Sequence, residues 1–117
     1  MSNVLSDYEI SLETAQKWVK AYVDSVPPNA TRAFLVSKKE LEIVMGDDRV
    51  KYVRMYFGKD VNIEPQSKMI LVPVDVEGND MIEVRGDDSN IYDFTLPCPP
   101  TCNDESPLSP GNLPGGR

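Results

Sequence analysis

Between Ser11 and Val26 the apolar residues Leu12, Ala15, Val19, Tyr22, Val23 and Val26 recur at three- and four-residue steps, the stripe of an amphipathic helix. Ser11 is suited to cap it, Glu13 puts an acid in the first turn where the helix dipole favours one, and Pro27-Pro28 ends it. Trp18 lies beside the stripe, one turn before Tyr22. The favoured reading is a ring that shields the edge of the core; the alternative is an exposed anchor for a partner. A second, shorter helix is expected from Ser37 and Glu40, which spell an S-x-x-E capping box. Val36 and Leu41 stand at the staple positions and Gly46 is suited to a left-handed C-cap. At about two turns this helix needs a surface to pack on.

From Arg49 onward the period falls to two. In "RVKYVRMYFG" Val53, Met55 and Phe57 share one face, and Val50, Tyr52, Arg54 and Tyr56 share the other. "KMILVPVDVEG" alternates again, with Ile70, Val72, Val74 and Val76 opposing Met69, Leu71, Pro73 and Asp75. Pro73 has no amide hydrogen, which argues for an edge strand or a bulge. "EGND" is turn chemistry, "MIEV" reads as a returning strand, and "IYDFTL" as one more. The expected fold is α+β, with two N-terminal helices packed on one face of a three- to four-stranded, mostly antiparallel sheet within residues 1–102. Residues 103–117, rich in proline and glycine and without period, are expected to form a disordered tail.

Composition narrows the function classes. A chain of 117 residues is one domain by length. Its 19 acids against 12 bases give a net charge of −7, so nucleic acid and anionic membrane are not the expected partners. No run approaches the ~20 apolar residues of a membrane span. "MSNVLSDYEI" has neither the basic start nor the apolar run of a secretory signal, so a cytoplasmic location with reduced thiols is expected. The absence of histidine removes the commonest general base and metal ligand. There is no glycine-rich phosphate loop and no G-x-S-x-G elbow, so an enzyme is not the leading expectation and no cofactor is expected.

"LPCPPTC" holds both cysteines, Cys98 and Cys102. Four polyproline steps would separate them by roughly 12 Å, whereas a disulfide needs Cα atoms about 4.4–6.8 Å apart. Closing that bond requires a turn, such as one with a cis proline. The leading expectation is a proline strap in which Cys98 acts as a small buried hydrophobe. Two thiols are half of a zinc site, which carboxylates or a second chain would have to complete. The acids Asp75, Glu77 and Asp80 crowd one turn as calcium ligands can, yet "DVEGND" departs from the D-x-[DN]-x-[DN]-G loop and turns favour the same residues. Metal is therefore not expected, with Cys98, Cys102, Asp75, Glu77 and Asp80 as weak candidates.

Taken together, "VRMYFG", "LVPVDVEGNDM" and "LPCPPTC" followed by "SPL" resemble a group of short uncharacterised bacterial proteins. That group has an R-x-Y-x-G strand, a D-x-x-G-N-D hairpin and a C-x3-C near the C-terminus. The resemblance implies no activity or cofactor; it singles out Arg54, Tyr56 and Gly58. The functional expectation is a non-enzymatic protein-binding or accessory module working through Tyr52, Arg54 and Tyr56, with Trp18 as a further anchor. The alternative is a ligand-binding protein or enzyme in which Arg54 holds an anion. One helix layer cannot cover two semi-apolar sheet faces, so the partner is expected to be another protein or a second copy of the chain.

Overall fold

The protein's structure is a computed structural model that describes residues 8–62, 66–93 and 95–115. The chain divides into two compact units, Met1–Arg32 with Cys102–Arg117, and Ala33–Thr101. It is α+β, with two α-helices and two small antiparallel sheets among the described residues.

In the first unit, helix α1 (Leu12–Asp24) starts where the Ser11 side chain accepts the Thr14 amide at 3.1 Å. Along its stripe Val23 is buried and Ala15, Val19 and Val26 are half-buried, while Leu12 and Tyr22 are exposed. Tyr22 turns its hydroxyl onto the Thr31 carbonyl at 2.8 Å, which ties the proline-containing connection back to the helix. Trp18 is 64% exposed, which corrects its favoured reading as a shield of the core edge.

Residues 103–115, the described part of the expected disordered tail, carry structure of their own. Successive i→i+3 bonds join Asn103 to Ser106, Ser106 to Ser109 and Ser109 to Asn112, at 2.9–3.1 Å. Pro107 and Pro110 each fall at the second position of such a turn, where their fixed φ is favourable. The Asn112 side-chain amide donates to the carbonyls of Asp104 and Ser106, both at 3.0 Å, and Leu113 is buried. Gln16 of α1 donates to the Pro107 carbonyl at 3.1 Å. What reads as composition without period is turn chemistry repeating every three residues.

In the second unit, β1 (Ala33–Leu35) pairs antiparallel with β4 (Leu96–Cys98). Helix α2 (Lys38–Val44) starts at the expected Ser37 cap: Ser37 Oγ accepts the Glu40 amide at 3.0 Å and donates to the Glu40 carboxylate at 2.8 Å. Gly46 is not left-handed; the helix ends through Met45, whose amide reaches Leu41. Helix α2 lies against β3 and buries Val44. Strands β2 (Tyr52–Asp60) and β3 (Gln66–Val74) form a long antiparallel pair in which Tyr52, Arg54 and Tyr56 oppose Val74, Val72 and Ile70. Leu71, Val72 and Val74 are fully buried, so β3 is covered on both faces.

The expected three- to four-stranded sheet is thus replaced by two two-stranded ones, with isolated bridges at Leu71–Tyr92 and Val74–Asp80. Pro73 supplies the physical reason. Residues two apart on a strand aim their backbone groups the same way. Leu71 exchanges both bonds with Tyr92, at 2.8 and 3.0 Å, whereas Pro73 only accepts, from the Met81 amide at 2.8 Å. The missing donor falls on the side away from β2, where a continuous third strand would have to pair.

The disulfide expectation also needs correction. Cys98 is buried, as expected, but it is disulfide-bonded to Cys102. The Thr101 amide reaches the Pro97 carbonyl at 2.9 Å and closes the turn, within which Cys98–Pro99 and Pro99–Pro100 are cis.

Candidate functional site

The alternation of β2 places Tyr52, Arg54 and Tyr56 on one face, as expected. The turn after β3 then brings an acid onto that face. Asp75 Oδ1 accepts the amides of Glu77 and Asn79, each at 2.9 Å, and the Asp75 carbonyl accepts the Gly78 amide at 3.0 Å. Gly78 has φ +88°, a left-handed geometry that a side chain would strain, so the turn needs glycine there. The reversal ends at the Val74–Asp80 bridge, with the Asp80 carboxylate against β2. Arg54 Nη1 donates to Asp80 Oδ1 and the Tyr56 hydroxyl donates to Asp80 Oδ2; Arg54 Nη2 also donates to the Gly78 carbonyl at 3.2 Å.

Asp80 therefore favours the protonated form of both its partners, a charged guanidinium and a neutral phenol. The carboxylate's hydrogen bond favours the protonated phenol and, with desolvation, pushes the Tyr56 pKa above its ordinary value, against the opposing effect of Arg54. Arg54 is held above its ordinary value by Tyr56 first and Asp80 next. Asp75 is held below the usual carboxylate range, chiefly by the backbone amide of Asn79. These side chains form a polar clasp that fastens the Asp75–Asp80 turn to β2.

The candidates separate accordingly. Arg54, Tyr56, Asp75 and Asp80 come together; Tyr52 is on the same face and exposed. Trp18 is exposed on α1, in the other unit. A Cβ added at Gly58 would meet the Ile70 and Lys68 side chains at an ordinary 3.7 Å, so packing gives no reason for a glycine there. Of the weak metal candidates, the cysteines are in a disulfide, Asp75 is engaged in its turn and Asp80 in the clasp, while Glu77 is an exposed residue of the same turn. No group of three or more cysteine, aspartate or glutamate side chains among the described residues is arranged to hold a metal ion. Reading the sequence placed Asp80 among metal candidates and missed its pairing with Arg54. The signal lay in the two motifs themselves, since the R-x-Y of one strand and the final aspartate of D-x-x-G-N-D are the two halves of one cluster.

On the opposite face of β2, Val53 is half-buried and the other two apolar residues are open. Phe57 is 85% exposed and Met55 is about half exposed, although both sit opposite well-covered residues of β3, Met69 and Leu71. Among the described residues β2 has a strand partner on one side only. No helix of the described residues is long and apolar enough to cross a membrane. Compared with models of known protein families, with curated proteins and with solved structures, the chain matches none.

Proposed function

We propose that the chain is a non-enzymatic protein-binding module whose working surface is strand β2. The observation that supports it is the exposure of Phe57, Met55 and Tyr52 on a nine-residue edge strand. Natural proteins blunt such edges with charge, proline or a cover, because an open one pairs with another chain. A partner that adds an antiparallel strand to β2 satisfies its outward backbone groups and covers apolar side chains on both faces. The partner is another protein or a second copy of the chain, not nucleic acid or membrane. Within this reading the clasp neutralises Arg54, which lowers the cost of taking the strand out of water. The R-x-Y-x-G and D-x-x-G-N-D motifs serve to hold the strand in shape.

The alternative, an anion held by Arg54, requires that anion to displace Asp80 and finds less support. A photo-crosslinking residue at Phe57 tests the main reading, with one at Val84, an equally apolar exposed position, as control. In lysate, position 57 is expected to give one adduct of discrete mass that Met55→Lys abolishes; in purified protein, an adduct of twice the monomer mass identifies a second copy. Equal, diffuse labelling from positions 57 and 84 would overturn the proposal.

A further inference from the structure

Of the described arginines, Arg49 is paired with Asp47, Arg54 with Asp80 and Arg85 with Glu83. Among the described residues Arg32 has no carboxylate partner, and its one hydrogen bond runs from Nη2 to the disulfide sulfur of Cys102, at 3.4 Å. Sulfur is a weak acceptor and a guanidinium has five donors to satisfy. Arg32 is half-buried, in a chain that carries 19 acids against 12 bases, and still none of the described acids pairs with it.

Arg32 is also the one charged residue of a cavity of about 330 Å³ whose remaining lining is apolar: Val23, Val26, Pro27, Pro28, Ala30 and Pro110. Ligand pockets of roughly 300–1,000 Å³ have this make-up, an apolar body with a few polar groups that fix orientation. The walls are preset. Ser25 caps α1 by its amide on the Tyr22 carbonyl at 2.9 Å, the Ala30 amide closes a turn on Pro27 at 3.0 Å, and Tyr22 holds Thr31. Pro110 opens the short 3-10 turn Pro110–Asn112, which Asn112 anchors through Asp104 and Ser106. A wall that is already ordered loses little entropy when a ligand arrives.

We propose that this cavity binds a small free carboxylic acid with an apolar tail, its carboxylate on Arg32 and its tail against the valines and prolines. A guanidinium fork matches a carboxylate in a two-bond geometry. A peptide C-terminus offers the same carboxylate, but its amide carbonyls would need donors, and three of the lining residues are prolines without an N–H. The wall chemistry therefore favours a free aliphatic or aromatic acid over a peptide end. This site is separate from strand β2 and does not rest on the protein-binding reading.

The test is an amide-shift titration of the full ¹⁵N-labelled chain with sodium octanoate, against octyl alcohol and N-acetylleucine. Saturable shifts are expected at residues 23–32 and around Pro110, with a dissociation constant of roughly 0.1–1 mM. Octyl alcohol and N-acetylleucine are expected to bind more weakly. Arg32→Met should weaken octanoate at least about tenfold, the loss of one charge-assisted contact. Ala30→Trp, which fills the cavity and leaves Arg32 in place, should weaken it as well and decides the matter if Arg32→Met does not fold. Octanoate that fails to saturate, binds Arg32→Met unchanged, shifts β2 instead, or loses to N-acetylleucine would overturn the assignment.

Discussion

At the residue scale, Asp80 decides what Arg54 and Tyr56 are available to do. A strand face carrying two tyrosines and an arginine reads as an open binding surface, yet one carboxylate, delivered by a turn six residues long, occupies the guanidinium and one phenol. The consequence is measurable as titration. Tyr56 binds its proton more tightly folded than unfolded, so the stability it contributes is complete below the ordinary phenol value of 10.0 and is lost as pH rises through the raised folded value. Asp75 and Asp47 work in the opposite sense. Backbone amides hold Asp75 low, and Arg49, through its side chain and amide, holds Asp47 at about 2; their contribution is present above 3.8 and is lost as pH falls below it. Asp80→Asn is therefore expected to lower the Tyr56 pKa toward its ordinary value and to flatten the alkaline limb of a pH–stability profile, leaving the acid limb intact. NMR titration of ring-labelled tyrosine, with Tyr56→Phe to assign the signal, measures this; an unmoved Tyr56 would show that the clasp does not form in solution.

At the scale of elements, periodicity was a good guide wherever a residue's own backbone bonds were available. Strand β2, strand β3, both helix starts and the turn at Gly78 were legible because alternation, capping serines and glycine act locally. The third strand was not: "MIEV" and "IYDFTL" alternate well, but their pairing depends on a donor that Pro73 lacks, and that partnership is invisible within either segment. Strand β1 was missed for a related reason, since three residues are too few to show a period. Alternation also says nothing about which strand lies at the edge. Strands β2 and β3 are equally apolar in pattern, yet Leu71 is fully buried and Phe57 is 85% exposed. Leu71→Ala should therefore cost about 2–5 kcal/mol in denaturant melts, whereas Phe57→Lys should stay within about 0.5 kcal/mol. A comparable loss for both would mean that Phe57 is covered in solution, either by a second copy or by the chain itself.

For the whole molecule, the C-terminal segment is where composition misled most. Proline, serine and glycine in "NDESPLSPGNLPG" match the profile of a chain that cannot bury enough surface to order itself. The same residues are also what a run of turns requires, and here prolines at the second position of two turns spend little entropy in adopting them. Ordering still needs an apolar gain, which the buried Leu113 supplies, and the Gln16–Pro107 bond adds a polar tie. The Cys98–Cys102 bond adds a constraint at the start of the segment. It closes so short a loop that chain entropy alone gives it about 2 kcal/mol. Deleting residues 103–117, which leaves both cysteines, should lower stability by about 2 kcal/mol through the loss of one buried leucine, and Leu113→Ser in the full chain should reproduce most of that loss. Reduction of the disulfide should add to the deletion, because the bond acts on the unfolded chain and the leucine on the folded one. If the deletion leaves the melting curve unchanged while Leu113→Ser lowers it, the serine acts as an unsatisfied group and not through lost packing, and the segment is after all a dispensable tail. If both lower it and reduction adds its own increment, the turns from Asn103 to Asn112 are part of the folded unit that carries α1.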